Sequence, residues 1–209
     1  MKVVLIGQAY LAAEVLSLCQ KRGDSILAVI APRESDRLFQ AAKAAKTTAH
    51  VAAAVIDQGY IPDGADIILA AHAHAFISAA ARAKTRYGAL GYHPSLLPRH
   101  RGRDAVRWTI HMGDKVAGGT LYWMDDGADT GAIAAQDWCH VLPDDDARSL
   151  WQRDLAPMGL RLFEKVLAEL DQGGINATIQ NVAAATWEPA FNSSKLKART
   201  VFKRDLKTV

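Results

Sequence analysis

The chain has 209 residues, half of them apolar, and a formal net charge of +3. That suits one domain, or one domain with a small appendage, around a sizeable core. So small a charge excludes a global electrostatic case for nucleic acid or an anionic membrane, and no apolar run is long enough to cross a bilayer.

Lys2 to Ile6 is a continuous apolar run ended by Gly7. It predicts a buried strand of a parallel sheet and is too short for a signal peptide, so a soluble cytoplasmic protein is expected. Leu11 to Arg22 carries apolar residues at helical spacing, and Gly23 stops it. Cys19 and Cys139 fit no metal spacing and read as packing residues of a reducing compartment. Ile26 to Ile30 is a second strand, Ser35 to Ala45 a second helix, His50 to Val55 a weaker strand and Ile67 to Ala71 a fourth. The alternation predicts an α/β fold, a Rossmann-like open, mostly parallel sheet with helices on both faces. A dinucleotide fold needs several glycines in its first strand-to-helix turn. Gly7-Gln8-Ala9-Tyr10-Leu11-Ala12 offers only Gly7, so a plain connecting turn is favoured.

His72 and His74 follow the fourth strand. Two histidines two apart suit zinc, yet no carboxylate or cysteine stands at a convincing distance. A turn lining a ligand pocket explains them better, and no metal is expected. Ile77 to Lys84 reads as a short helix. Tyr87 to Leu90 predicts a strand, so His93 emerges at a strand end, where open α/β sheets place their sites. Asp104 to Met112 is a helix stopped by Gly113. Val116 to Met124 and Ala132 to Val141 read as an antiparallel pair toward the C-terminal half, flanking a loop from Asp125 to Gly131. Asp144 to Leu170 is a long helix opened by acidic residues, which Pro157 should kink or split. Thr178 to Ala184 reads as a final strand. The domain is expected to span 1–185, with 186–209 an irregular basic tail. Lys195, Lys197, Arg199, Lys203, Arg204 and Lys207 make that tail a surface arm; with so few aromatics, nucleic acid is not an expected partner.

Three parts could meet: His93, the Asp125 to Asp129 loop and the His72 to Ile77 loop. An aspartate orients an imidazole and favours its cation, which can donate a proton to a developing oxyanion. From spacing alone, catalysis and a structural histidine satisfied by a carboxylate stand level.

The stretch His93-Pro94-Ser95-Leu96-Leu97-Pro98, then Gly102, Gly113-Asp114 and Asp126-Gly127-Ala128-Asp129-Thr130-Gly131, resembles the signature of the formyltransferases that use N10-formyltetrahydrofolate. The wording Tyr92 to Gly102, Trp123 with Asp125-Asp126-Gly127, Val141-Leu142-Pro143-Asp144-Asp145 and the opening Met1 to Gln8 are most similar to the hydrolase domain of 10-formyltetrahydrofolate dehydrogenase. The resemblance runs from Met1 to about Leu170. It implies N10-formyltetrahydrofolate as co-substrate, and His93 as the histidine that stabilises and shares protons with a tetrahedral intermediate. Asp129 would be its partner. The backbone of His74, Ala75, Phe76 and Ile77, and that of Asp125, Asp126, Gly127 and Ala128, would hold the pterin ring. Arg99, Arg101 and Arg103 would receive the folate tail or an anionic acceptor.

One position departs from the family. Its usual Asn-x-His places an amide on the formyl oxygen, and here that residue is Gly91. Losing such a donor removes about 3 to 4 kcal/mol of transition-state stabilisation. A water in the vacant space, or the acceptor itself, would have to donate instead; the bland reading is a strand glycine permitting close packing. Three functions therefore stand: formyl transfer to an amine of a small molecule, hydrolysis with water as acceptor, and folate binding without turnover. The acceptor and the oligomeric state stay open, a homodimer among the options.

Overall fold

The computed structural model describes residues 1–191, so the basic stretch from Lys195 to Lys207 lies outside the described residues. In β1 (Lys2–Gly7) every residue after Lys2 is buried. Val3 and Leu5 enter one core and Val4 and Ile6 the other, as period-two alternation requires of a central strand covered on both faces. Then come α1 (Ala9–Arg22), β2 (Ser25–Ala31), α2 (Arg37–Ala44), β3 (Ala49–Val51), β4 (Val55–Ile56), β5 (Ile67–Ala71), β6 (Phe76–Ile77) and α3 (Ala79–Ala83). The second half holds β7 (Ala89–His93), α4 (Ala105–Met112), β8 (Val116–Trp123), β9 (Ile133–His140), α5 (Ala147–Leu150) and α6 (Ala156–Asp171).

The main sheet runs β3-β2-β1-β5-β7-β8-β9. Its first five strands are parallel, and β8 lies antiparallel to both neighbours. The strand order reverses between β1 and β5, which opens a crevice at their carboxyl ends. On one face α1 and α6 pack together, with Leu11, Val15 and Phe163 in the core. The opposite core gathers Ile6, Ile30, Ile56, Ile77 and Ala81 of α3.

Gly7 has a packing reason rather than a phosphate-binding one. A Cβ there would stand 1.9 Å from the carbonyl oxygen of Ala71, so β1 can reach β5 only without a side chain.

Several expected boundaries move for identifiable reasons. The second helix starts at Arg37 because the Asp36 carboxylate accepts from the Leu38 amide and from Ala9, which pins the turn ahead of it. The strand expected over 50–55 divides. β3 joins the main sheet, while Val55 and Ile56 pair with Phe76 and Ile77 in a separate ribbon. The helix expected from Ile77 starts two residues later, after Ser78, whose hydroxyl caps the Ala81 amide. The long helix starts after a capping box of Asp146 and Ser149. Ahead of Pro157 it widens into one π-helical turn, Trp151–Leu155, which accommodates a residue that has no N–H to give. The strand expected over 178–184 is instead a single bridge from Thr178 to Ile133 and a short 3₁₀ turn, Val182–Ala184. Thr186 to Phe191 is irregular and packs on the body: Trp108 donates to the Pro189 carbonyl, and the Phe191 amide donates to Asp104.

Burial pushes the Cys19 thiol up to about 12 and the Cys139 thiol up to about 11, so both remain un-ionised at neutral pH.

Gly7→Ala is expected to destabilise the fold by about 3 kcal/mol through overpacking. Urea denaturation should show a lower midpoint at unchanged slope; a loss under about 0.5 kcal/mol would mean that β1 and β5 separate freely.

Candidate active site

Along β7 the side chains alternate. Leu90 and Tyr92 enter the core beneath α6, while Ala89 belongs to the opposite core. Gly91 and His93 therefore share the Ala89 face. β8 lies alongside with Tyr122 opposite Gly91. Its ring, together with Met124, fills the space a side chain at position 91 would take. A Cβ there would meet Tyr122 Cε1 at 3.1 Å and Met124 Cγ and Sδ at 3.2 Å. The room expected for a water beside Gly91 is thus occupied by a thioether.

His93 is 6% exposed. Its Nε2 lies 2.7 Å from the carbonyl oxygen of His100. A carbonyl only accepts, so Nε2 carries the hydrogen, and Nδ1 is the ring's remaining site. Nδ1 faces Asp129 Oδ2 at 3.6 Å, too far for a good hydrogen bond and close enough for charge to act. Asp129 is held on every other side. Oδ2 accepts from the Gly102 amide at 2.8 Å and Oδ1 from the Tyr122 hydroxyl at 2.7 Å. Burial, reinforced by the Asp129 charge, holds the Tyr122 pKa well above the phenol's usual value, so Tyr122 stays a donor throughout the neutral range.

The two loops expected to hold the pterin ring are adjacent. Arg82 of α3 donates to the Ile77 carbonyl at 2.6 Å and also pairs with the Asp126 carboxylate. Asp125 turns inward on its own loop, accepting from the Gly127 amide and the Thr130 hydroxyl. That leaves the Asp125 to Ala128 stretch as mainly a backbone surface. Phe76, paired with Val55 in the short ribbon, is 51% exposed and offers an apolar face.

His72 and His74 lie with Gln8 and Gly7 around a shallow, open hollow at the carboxyl ends of β1 and β5. Burial is the main cause that lowers both imidazole pKa values, with the neighbouring His74 ring adding to it for His72 and the Arg103 charge for His74, so both are neutral at pH 7. Among the described residues no group of three or more His, Cys, Asp or Glu side chains is disposed to hold a metal ion.

The three arginines separate. Arg99 forms a two-pronged pair with Asp114, at 2.9 and 2.6 Å, which takes up its guanidinium. Arg101 is buried and donates twice to Gln180 Oε1. Only Arg103 stands exposed near the histidine hollow.

Four residues of the site were not singled out from the sequence: Tyr122, Arg82, Gln180 and Glu188. Gln180 is 4% exposed and uses both ends of its amide. Besides accepting from Arg101, its nitrogen donates to the Asp129 carbonyl at 3.0 Å and the Gly131 carbonyl at 2.7 Å. It fixes the loop where Asp129 adopts a left-handed φ of 56°. Nothing in its local sequence marks it, since its partners come from segments about 50 and 80 residues away.

A parallel sheet with an antiparallel edge, carrying a buried histidine that faces a held carboxylate, defines a class of protein suited to acyl-type group transfer. The chain belongs to the formyl transferase family, whose model matches residues 1–167. Enzymes of this family use N10-formyltetrahydrofolate as co-substrate. The chain is 34% identical over 206 residues to mitochondrial 10-formyltetrahydrofolate dehydrogenase of Mus musculus, a match covering 90% of the chain and 22% of that protein. It thus spans about a fifth of the length of that relative. Glycinamide ribonucleotide transformylase 1 from Symbiobacterium toebii shares the fold at a TM-score of 0.72 and 21% identity, over 87% of this chain and 94% of that one. An N-formyltransferase from Helicobacter canadensis does so at 0.74 and 19%, over 90% and 70%. No described helix is long and apolar enough to cross a membrane.

Two outcomes are expected. Gln180→Ala leaves the Arg101 guanidinium without its acceptor and two carbonyls without donors, and should lower stability by about 2 to 3 kcal/mol in urea; a loss under about 0.5 kcal/mol would mean the network contributes nothing. Burial works against the Asp114 carboxylate, but hydrogen bonds from Arg99 and His100 outweigh it and hold the group below the usual range. A lowered native pKa contributes stability above the unfolded value of about 4 and loses it as pH falls through the native value. Asp114→Asn should therefore be less stable than the parent by roughly 1 to 3 kcal/mol at pH 7, with the gap narrowing below about pH 4. A gap independent of pH would contradict that.

Proposed function

We propose that the chain transfers the formyl group of N10-formyltetrahydrofolate to an amine of a small-molecule acceptor, as a cytoplasmic enzyme. The observation that carries this reading is the state of the His93–Asp129 pair. Every polar atom of the two side chains has a structural partner except His93 Nδ1, which faces the Asp129 carboxylate across 3.6 Å. A purely structural histidine would close that gap. Here the open nitrogen is the one place where a proton can be given and taken, and it faces a carboxylate.

The residues present suit the folate. Arg82 joins the two loops whose backbone would hold the pterin ring, and the exposed Phe76 gives an apolar wall. The bound co-substrate supplies an activated formyl carbon. His93 gives a proton or a charged hydrogen bond to the oxygen of that carbon as the acceptor attacks. Asp129 takes the proton the attacking nitrogen must lose, and Tyr122 and the Gly102 amide keep its oxygens in place. As the intermediate collapses, the carbonyl reforms and His93 takes its proton back, the bond from the formyl carbon to N10 breaks, and the proton held at Asp129 passes to N10 so that tetrahydrofolate leaves neutral.

A second reading is favoured by Gly91. With Met124 in the position the family amide would occupy, oxyanion stabilisation on that side is weakened, and water becomes a competing acceptor that yields formate.

Incubation with N10-formyltetrahydrofolate, with and without a panel of amines, separates the readings by formylated product against formate. His93→Ala and Asp129→Asn should each lose about 10²- to 10⁴-fold in turnover while still binding a folate analogue. Near-parent turnover in either sinks the pair assignment, and a parent that turns over with neither amine nor water leaves a folate-binding protein. Gly91→Asn needs Met124 to give way, so the double change with Met124→Ala should raise transfer over hydrolysis more than Gly91→Asn alone. Equal ratios in both variants would show that Met124 does not control the site.

A further inference from the structure

The hydrogen bond that sets His93 depends on the placing of a backbone carbonyl, that of His100, and the structure places this carbonyl by an unusual means. His100 adopts a left-handed φ of 56° and is 2% exposed. Its imidazole stands between two carboxylates. Nε2 lies 2.9 Å from Asp114 Oδ2, and Nδ1 lies 3.2 Å from Glu188 Oε2. Carboxylates only accept, so an imidazole with one N–H satisfies one of them and the doubly protonated ring meets both. The charged groups around this ring are Asp114 and Arg99 on one side and Glu188 on the other, Arg99 being paired with Asp114. The backbone is tied as well. The His100 amide donates to Thr186 Oγ1 at 2.8 Å, and the Arg101 amide to the Thr186 carbonyl at 3.0 Å.

Glu188 is 7% exposed, and its Oε2, like His100 Nδ1, has no aligned hydrogen bond. A buried carboxylate at the end of an irregular segment is costly unless a polar partner answers it, and the His100 imidazole is the group that faces it, at 3.2 Å.

We propose that His100 and Glu188 are positioning residues. Their buried contact, added to the backbone bonds between the two segments, straps the 186–189 segment across the loop after β7 and so fixes the His100 carbonyl, which in turn holds His93 in the Nε2–H form with Nδ1 turned to Asp129. The inference rests on the catalytic reading of His93.

The test uses the full chain. Glu188→Ala removes the carboxylate, Glu188→Gln keeps its shape and one acceptor, and Thr186→Val removes the hydroxyl that takes the His100 amide. Two readouts are taken: the ¹⁵N–¹H correlation of the His93 ring, which reports its tautomer without turnover, and kcat and KM for N10-formyltetrahydrofolate. In the parent the His93 signal should be that of the Nε2–H form. Glu188→Ala should mix the two tautomers and lower kcat about ten-fold with KM within two-fold, and Glu188→Gln should restore most of both. If Glu188→Ala does not fold, Thr186→Val should show the same change in His93 at smaller amplitude. A parent-like His93 signal and a kcat within two-fold of the parent, in Glu188→Ala or failing that in Thr186→Val, overturn the proposal. If His93→Ala turns over normally, the functional reading itself falls; if it is inactive while the strap variants match the parent, only the strap falls.

Discussion

The 2.7 Å contact between His93 Nε2 and the His100 carbonyl constrains everything around it. Because the acceptor has no hydrogen to offer, the contact decides which nitrogen of His93 is free and which way it points. For that to hold, the end of β7 and the loop seven residues on must keep a fixed relation. β7 is held between β5 and β8 and is wholly buried. The loop belongs to no named strand. Backbone bonds tie it to the 186–188 segment, from the Thr186 amide to the Pro98 carbonyl and from the Arg101 amide to the Thr186 carbonyl, and Arg101 is bridged to Trp187. The side chains of Thr186, Asp114 and Glu188, and the Gly102 amide on Asp129, complete its support. A short hydrogen bond between two segments is only as firm as the weaker support.

The antiparallel edge serves the same arrangement. β8 follows β7 after the 94–104 loop and the helix α4. Running back beside β7, it sets Tyr122 directly across from Gly91 and delivers the Asp129 loop over the face that His93 shares. The carboxylate then has two donors from different segments, an amide after β7 and a phenol on β8, neither of which titrates in the neutral range. Gln180 adds a third constraint through the Asp129 carbonyl. The pair is thus preorganised, which is what a site acting on transient charge needs.

How much of this was legible in the sequence depended on the range of the interaction. The strands β1, β2, β5 and β7 announce themselves by apolar runs, β8 and β9 as a pair flanking the acidic loop, and α1 by its period and its terminal glycine, because those signals are local. His93 and Asp129 were legible through motif and resemblance, and their facing was an expectation until the loops were placed. The short ribbon of β4 and β6 left no signal, since two residues are too few for a period. Thr178 to Ala184 looked like a strand, yet its internal polar residues Gln180 and Asn181 turned out to matter more than its apolar ones. Gln180 finds partners at Arg101, Asp129 and Gly131, and long-range polar contacts of that kind have no periodic trace. The 186–191 segment looked like loose tail because it is irregular; its buried Glu188 and Pro189 show that irregular backbone can still be a packed part of the site.

Gly91 changes meaning once its neighbours are known. As a missing amide it suggested a vacancy. In the fold it is a contact, with the Tyr122 ring and the Met124 thioether closing over it at 3.1 and 3.2 Å from where a Cβ would be. An apolar, polarisable group there donates no hydrogen bond and excludes water from the spot. Methionine is also the side chain that most readily changes rotamer to suit what binds. Met124 is therefore the neighbour of Gly91 best able to give way without disturbing the sheet, and the space beside position 91 is set by one flexible side chain rather than by the His93–Asp129 pair.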